Sequence, residues 1–205
     1  MALLHGTASL TPSKLDLLGE WMPQQPWFAG GELEQIGSYR FDDPDGEVGM
    51  ESIIVRAGGR TYQVPMTYRS APLDGARLVG TMQHTVLGDR WAYDATSDPV
   101  FAATLAATIL TGGTQAVLMR DNGTTTEPVD PVVTVQGRGV PGAQIEAIEL
   151  RGSQLTDEGT LIETSGPNLV VIHDLDGGAE TTGDHRLTGQ WAGRDPVLLA
   201  VARLR

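Results

Sequence analysis

The sequence predicts an α+β protein in which a mixed first half is followed by a second half made almost wholly of strands. Helix signals are confined to the first 112 residues, and short apolar segments separated by turn formers continue to the end of the chain. The 26 Gly and 12 Pro residues are typical of a chain with many turns. We therefore expect a first domain over 1–112, a linker over 113–130 and a β-rich domain over 131–205.

Local signals place two helices in the first domain. Thr11 before Pro12 is typical of a helix start, with Thr11 as N-cap and Pro12 at the first helical position. Pro23 is expected to end this helix, because proline lacks the N–H that a helix interior needs. A second, Ala-rich helix is predicted to begin at Asp98-Pro99 and to end at Gly112-Gly113.

Strands are predicted where alternating or continuous apolar segments lie between turn-forming residues. They cover residues 35–41, 48–56, 60–66, 77–87, 90–94, 132–136, 143–151, 160–164, 168–174, 186–193 and 196–204. The Ala-Gly-Gly-Arg sequence at 57–60 predicts a hairpin turn. The polar segment 120–131 is expected to be a linker or long loop, and Asn122, which begins a glycosylation sequon, is interpreted as part of a turn.

Charge and composition exclude several classes of function. The formal net charge is −12, and residues 1–112 and 113–205 each carry 13 acidic and 7 basic residues. Because such a surface repels phosphate backbones and anionic lipids, we expect neither nucleic-acid nor membrane binding. The absence of cysteine excludes disulfides and thiolate chemistry. With no basic leader and no long apolar run, the sequence predicts a cytoplasmic protein.

Three motifs resemble those of bacterial maltokinases and related aminoglycoside-phosphotransferase-like sugar kinases. The segments LLGEWMPQQPWFAGG (17–31), YQVPMTYRSAPLDGA (62–76) and GDRWAYDATSDPVFAATL (88–105) are similar to family motifs and occur in the same order. The first follows a helix, the second lies on a strand, and the third leads into a helix. This resemblance to the maltokinase N-terminal cap domain implies a curved antiparallel sheet with flanking helices.

The chain departs from these kinases where phosphoryl transfer takes place. The basic residues of the family's first motif are replaced, which leaves Pro26 before Trp27 and Glu32 after Gly31. Phosphoryl transfer also needs a strand lysine, a catalytic aspartate and metal-binding carboxylates. The sole lysine is Lys14 on the first predicted helix, and no His-Gly-Asp-x-His-type loop occurs. We therefore expect neither kinase activity nor a cofactor.

The aromatic residues leave two interpretations open, a platform for a ligand or the packing of a helix on a sheet. Trp21 and Trp27 flank a Gln-Gln pair bounded by prolines, and packing is the favoured interpretation. Trp191, which lies between glycines, is expected to be more exposed. The residues predicted to contact a ligand or partner are Trp21, Gln25, Trp27, Tyr68, Arg69, Trp91, Asp94 and Trp191.

Two further motifs carry both a structural and a functional interpretation. Gly137, Gly139 and Gly142 form a G-x-G-x-x-G pattern, but a dinucleotide site needs a helix there, and the sequence that follows predicts a strand. A structural turn is favoured over a ligand-facing loop. His173, Asp174 and Asp176 end a buried strand and are weak candidates for a metal site or a general base; turn formation is again favoured.

Three hypotheses about function follow from these observations. The first is a non-catalytic, free-standing cap that binds or regulates a protein partner in α-glucan or trehalose metabolism, with a homodimer as one form of that association. The second is a small-ligand binder that takes a sugar or a nucleotide through its Trp and Tyr residues. The third and least favoured is an enzyme of unrecognised type that uses His173, Asp174 and Asp176.

Overall fold

The computed structural model describes residues 2–5, 8–121, 123–177 and 185–204, with only the backbone for 2–5. Most described elements are strands, and the two α-helices among them are α1 (Lys14–Trp21) and α2 (Pro99–Leu110). The α+β expectation therefore holds in a strongly β-rich form. None of the helices in this part of the chain has the length and apolarity of a membrane span. Asn122, which is predicted to lie in a turn, is outside the described residues.

Strands of the first half form a curled antiparallel sheet, as the cap-domain resemblance implies. In spatial order they are β2 (Leu10–Thr11), β6 (Leu78–His84), β7 (Gly88–Asp94), β5 (Arg60–Arg69), β4 (Gly49–Ala57) and β3 (Glu34–Phe41). The predicted hairpin turn joins β4 to β5, where Ala57 pairs with Arg60. Gly58 and Gly59 both have positive φ there (55° and 80°), which a two-residue hairpin turn requires.

A second antiparallel sheet is built from the second half of the chain. In spatial order its strands are β10 (Thr134–Gly137), β14 (His185–Trp191), β15 (Arg194–Arg203), β13 (Asn168–Val171), β12 (Gly159–Thr164) and β11 (Leu150–Thr156). The strand predicted at 143–151 is wrong over its first seven residues. Glu149 bonds instead to the turn at Ser165, through Glu149 N to Ser165 Oγ (3.0 Å) and Ser165 N to Glu149 O (2.9 Å).

A small third sheet takes two of its three strands from the segment that the sequence predicts to be a linker. Its strands are β1 (Ala2–His5), β8 (Leu118–Asp121) and β9 (Thr126–Val129). The strand β1 pairs with β8 in parallel, and β8 pairs with β9 as an antiparallel hairpin. Turn formers between 121 and 126 thus reverse the chain rather than extend it.

One hydrophobic core extends from the first half of the chain into the second. Phe101, Leu105 and Ile109 of α2 are buried in a cluster that includes Tyr39 of the first sheet and Leu187 of the second. The opposite face of the first sheet has a separate core, covered by Leu17 and Leu18 of α1 and by Met22 directly after it. The first sheet is therefore covered on both faces, and its two ends are where a site can form. The domain boundaries at 112 and 131 stay a prediction.

The helix starts show how local signals compete. α1 begins at a Ser13 N-cap and not at Thr11, so that prediction is wrong. Ser13 Oγ accepts from the backbone N–H of Asp16 (3.2 Å), and the Asp16 carboxylate accepts from Ser13 N–H (2.9 Å). This reciprocal capping box is available at Ser13 because an acidic residue follows three positions later. α2 begins as predicted, with Asp98 as its N-cap.

The Gly-rich segment at 137–142 closes the C-terminal end of α2. Gly139 N–H donates to Ile109 O, and Val140 N–H donates to Leu110 O, both at 2.8 Å. These bonds satisfy carbonyl groups that a helix end leaves without intrahelical partners. A Cβ at residue 139 would overlap the Leu110 carbonyl, so only glycine permits this approach. The segment has the structural role that the sequence favoured.

Candidate functional site

A cavity of about 530 Å³ lies at the end of the first sheet that adjoins the N-terminus of α1. Its volume falls within the roughly 300–1,000 Å³ that is usual for small-molecule sites. Side chains of Leu10, Met50 and Met82 make part of the wall apolar, and those of Lys14 and Arg40 make part of it cationic. This mixed lining is the kind that orients a small polar ligand.

A buried carboxylate holds the two cations of this wall in place. Glu51 on β4 is 4% exposed and accepts hydrogen bonds from Lys14 Nζ, from Arg40 (3.2 Å) and from Ser38 Oγ (2.8 Å). Arg40 on β3 and Glu51 are directly opposite each other in the antiparallel register. Cross-strand partners point to the same face of a sheet, so the register itself brings this ion pair together.

Electrostatics keep Glu51 ionised despite its burial. Burial alone would raise the pKa of Glu51, but the charges of Arg40 and Lys14 outweigh that effect and lower the pKa to about 2. Tyr68, whose hydroxyl lies 3.4 Å from Glu51 Oε2, responds in the opposite sense: burial and the Glu51 charge raise its pKa well above the ordinary value. At neutral pH the group therefore consists of one carboxylate, two cations and a protonated phenol.

Lys14 and Arg40 keep hydrogen-bonding capacity beyond Glu51. An ammonium has three N–H donors and a guanidinium has five. Among the described residues, Glu51 is the sole hydrogen-bond acceptor for either side chain, and each side chain is 21% exposed. Lys14 Nζ also lies 5.5 Å from the centroid of the Tyr68 ring, a cation–π arrangement. The remaining donors are available to a ligand.

Tyr68 is the residue of this cavity that the sequence identified as a candidate. Lys14, Arg40 and Glu51 were missed, because they are separated in sequence. Strand pairing brings Arg40 opposite Glu51, and Lys14 reaches the same carboxylate from α1. One signal was present: Glu51 interrupts the apolar strand GMESIIVRA, and a charge inside a buried strand needs a specific partner.

The tryptophans of the first motif lie elsewhere, where the end of α1 meets the second sheet. The Trp27 ring stacks on His173 with 4.5 Å between ring centroids and 7° between planes, and it also contacts Tyr62 and Trp21 at 5.9 and 6.0 Å. Gln25 Nε2 donates to Trp21 O (3.2 Å) and holds the connecting turn. These contacts support the interpretation of Trp21 and Trp27 as packing residues.

His173 is buried and bonded through both ring nitrogens. Its Nδ1 lies 3.1 Å from Gln63 O, and its Nε2 lies 2.8 Å from Thr160 Oγ1. A carbonyl oxygen can only accept, so we assign the proton to Nδ1 and the acceptor role to Nε2. Burial lowers the pKa of His173 below its ordinary value, against the opposing charge of Asp94. The imidazole is therefore neutral at physiological pH.

The two aspartates after His173 pair with separate protein groups and do not converge on a common ligand. Asp174 pairs with Arg60 (2.5 Å). Asp176 accepts from the backbone N–H of Thr61 (2.6 Å) and pairs with Arg194. Within the described ranges, no three His, Cys, Asp or Glu side chains are grouped so that they could hold a metal ion.

Gln63 completes the contact between the two sheets. Its Nε2 donates to Ile172 O (3.0 Å) and Leu199 O (3.1 Å), and its Oε1 accepts from Tyr39 Oη (2.7 Å).

We use the name junction for the group formed by Trp27, Gln63 and His173. At the junction both ring nitrogens of His173 and both amide atoms of Gln63 have protein partners, so this group holds the two sheets together.

The remaining predicted site residues are also held by protein contacts. Arg69 makes a bidentate pair with Asp98 at 2.8 and 2.7 Å, and Asp94 accepts from Arg77 at 2.9 Å. Trp91 is half-buried on β7, where it pairs in register with Arg69. Trp191 is 8% exposed and belongs to the core, so the expectation that it is more exposed is wrong.

Comparison with known proteins gives one match. Residues 21–98 match the family model described as the maltokinase N-terminal cap domain. The matched segment contains β3 to β7 of the first sheet. The match confirms the resemblance to the maltokinase cap domain that the three sequence motifs indicated. The protein is thus cap-domain-like over this part of the chain. No curated protein and no solved structure matches the chain.

Proposed function

We propose that this cap-domain-like protein is a non-catalytic binding protein that holds a small molecule in the cavity at the end of its first sheet. The observation that carries the proposal is that two cationic side chains of the cavity wall have N–H donors left over. Lys14 and Arg40 line about 530 Å³ of space and retain N–H groups that no described residue accepts from. A ligand with hydrogen-bond acceptors completes this arrangement.

The engagement of the other titratable candidates supports a non-catalytic role. His173 is stacked beneath Trp27 and bonded at both ring nitrogens. Asp174 and Asp176 are paired with arginines. A general base needs access to the proton that it removes, and His173 at 3% exposure has none in this arrangement.

A role as a binding or regulatory partner is the second part of the proposal. The family description names a maltokinase, and we take α-glucan or trehalose metabolism as the setting on that likeness alone. One observation favours a protein contact beside the cavity: Val86 and Leu87, at the tip of the β6–β7 hairpin, are 55% and 45% exposed. Adjacent exposed apolar side chains are typical of docking surfaces. Ligand in the cavity and partner on the hairpin would then be neighbours.

Thermal-shift and calorimetric titrations with maltose, a sugar phosphate and ATP with Mg²⁺ test small-molecule binding. At roughly 100 times its Kd, a ligand stabilises the folded state by about 2.7 kcal/mol, a shift of several degrees. Leu87→Trp, which narrows the cavity mouth, is expected to abolish the shift. Val86→Trp is the matched control, because Val86 is the exposed neighbour that does not line the cavity. Equal shifts in both variants would contradict binding in the cavity.

Tryptophan fluorescence separates the cavity from the aromatic residues of the first motif. None of the four tryptophans lines the cavity. A ligand in the cavity is therefore expected to leave their emission nearly unchanged while calorimetry records binding. A sugar stacked on Trp21 or Trp27 would shift the emission instead, and that result would favour the aromatic platform. A monomer that captures nothing in a native pull-down would argue against the partner role.

A further inference from the structure

Two carboxylates at the cavity, Asp43 in the wall and Glu51 behind it, already have their hydrogen-bonding capacity filled by the protein. Asp43 accepts from the backbone N–H groups of Asp45, Glu47 and Val48 at 3.1, 2.9 and 2.8 Å. Glu51 accepts from two cations and a hydroxyl, as described above. Both groups are acceptors whose oxygens are occupied, so neither is an attractive partner for a cationic ligand.

Lys14 and Arg40 lie side by side, and together they carry one more unit of charge than the Glu51 carboxylate between them neutralises. Lys14 and Arg40 donate to the same oxygen, Glu51 Oε2, which places their charged groups next to one another. Their combined formal charge is opposed by a single carboxylate that is almost fully buried. This group of three therefore leaves one uncompensated positive charge, with N–H donors that no described residue fills, at its part of the cavity wall. Elsewhere the wall carries Arg90 and the carboxylates of Asp42, Asp43 and Glu47. The acidic Asp42 and Glu47 lie in exposed positions, where water and salt screen their charges.

Resting on the proposed function, we propose that the cavity binds its ligand through one anionic group, a carboxylate or a phosphate monoester, held between Lys14 and Arg40. Charge-assisted hydrogen bonds of this type are stronger than neutral ones, and a guanidinium matches two oxygens of either anion. The Tyr68 ring and the Met82 side chain provide an apolar surface for the uncharged part of the ligand. The ligand class is thus a small molecule with one anionic group and an apolar or hydroxylated body.

The first test compares probes that share a body and differ in charge. Benzoate and phenyl phosphate are the anionic probes, and benzyl alcohol is the neutral one; binding is followed by ligand-observed NMR and calorimetry. We expect both anions to bind at least about tenfold more tightly than the alcohol, the usual effect of a charge-assisted hydrogen bond. Added NaCl is expected to weaken the anions and to leave the alcohol unchanged.

Variants of the charged group give a sharper test. Glu51→Gln removes the negative charge between the two cations, so the affinity for benzoate is expected to rise several-fold even though the fold is weakened. Ser38→Ala removes a hydrogen bond to Glu51 without a change of charge and is expected to leave the affinity near wild type. Arg40→Gln is the second test variant and replaces Glu51→Gln if that variant does not fold. It is expected to lower the affinity for benzoate about tenfold. Its matched control is Arg56→Gln, an exposed arginine on β4 that does not line the cavity.

The outcomes separate this inference from the proposed function. Tighter binding of either anion, with the opposite responses of Glu51→Gln and Arg40→Gln, supports the anionic ligand class. Binding of benzyl alcohol as tight as that of the anions, or an unchanged affinity in both variants, overturns the inference and leaves small-molecule binding in place. Failure of every anionic and neutral probe, together with the maltose, sugar phosphate and nucleotide panel, overturns the proposed function itself.

Discussion

The cavity and the junction are built from similar residues, but the hydrogen-bonding groups are filled at the junction and partly unfilled at the cavity. At the junction an aromatic ring, Trp27, covers a titratable group, His173, and protein atoms occupy both ring nitrogens. At the cavity an aromatic ring, Tyr68, lies against Lys14, but the cation keeps N–H groups for which the described residues provide no acceptor. The presence of aromatic and charged residues together therefore does not identify a site. Unfilled hydrogen-bonding capacity beside open space is what favours the cavity over the junction as the candidate site.

The two regions also differ in charge. His173 is neutral, since burial lowers its pKa, whereas Glu51 is ionised, since its two cations overcome burial. Both groups make the free energy of unfolding fall as acid is added, His173 from about pH 6.5 downward and Glu51 from about pH 4.5 downward. Variants that remove one titrating group at a time separate the two contributions.

Gln63→Leu breaks the junction and is expected to have the largest effect. The side chain is 1% exposed and bonds to Tyr39, Ile172 and Leu199. Buried polar partners left without a hydrogen bond cost about 1–3 kcal/mol each, so we expect a loss of roughly 3–4 kcal/mol in the free energy of unfolding, partly relieved by the apolar side chain. Urea denaturation measures it.

Gln24→Leu is the control for that experiment. Gln24 is exposed, and its side chain makes a single bond, to Glu20 O (2.9 Å). We expect a change within about 0.5 kcal/mol, as for most surface substitutions. A loss at position 63 no larger than that at position 24 would mean that the two sheets are not held together by Gln63.

Features governed by short sequence signals could be predicted. Asp98-Pro99 fixed the start of α2, and Gly58-Gly59 fixed the hairpin between β4 and β5, because both depend on backbone preferences of adjacent residues. The predicted N-cap of α1 was wrong, because two competing local signals, at Thr11 and Ser13, lie two residues apart. Local patterns do not rank such alternatives.

Long-range partners could not be predicted in the same way. The role of Gly139 depends on the carbonyl end of α2, about thirty residues earlier in the chain, and a glycine motif does not reveal its neighbour. The Lys14–Glu51–Arg40 group likewise depends on which residue of β3 faces Glu51. A one-residue slip in that register would send Arg40 to a different partner.

Acid titration of Glu51 sharpens the comparison at the cavity. Its pKa is about 2 in the folded protein and near 4.5 when unperturbed, so the stabilisation is complete above pH 4.5 and is lost as the pH falls through about 2. At about 1.4 kcal/mol per pH unit, we expect a contribution on the order of 3 kcal/mol. Unfolding measured from neutral pH downward is compared with Glu51→Gln, which lacks this titration and should show a shallower acid limb. Parallel curves would mean that Glu51 is not held by its two cations.

Titration of His173 is the smallest expected effect and probes the junction without altering its shape. Burial lowers the folded-state pKa below the ordinary 6.5, so the unfolded chain takes up a proton more readily than the folded protein. The free energy of unfolding is therefore expected to be constant above pH 6.5 and to decrease as the pH falls below it, until the folded-state pKa is reached. His173→Asn, which does not titrate, should remove this slope and leave the Glu51 limb intact. A slope that persists in His173→Asn would place the responsible group elsewhere, and the junction would then lack the neutral, closed character that distinguishes it from the cavity.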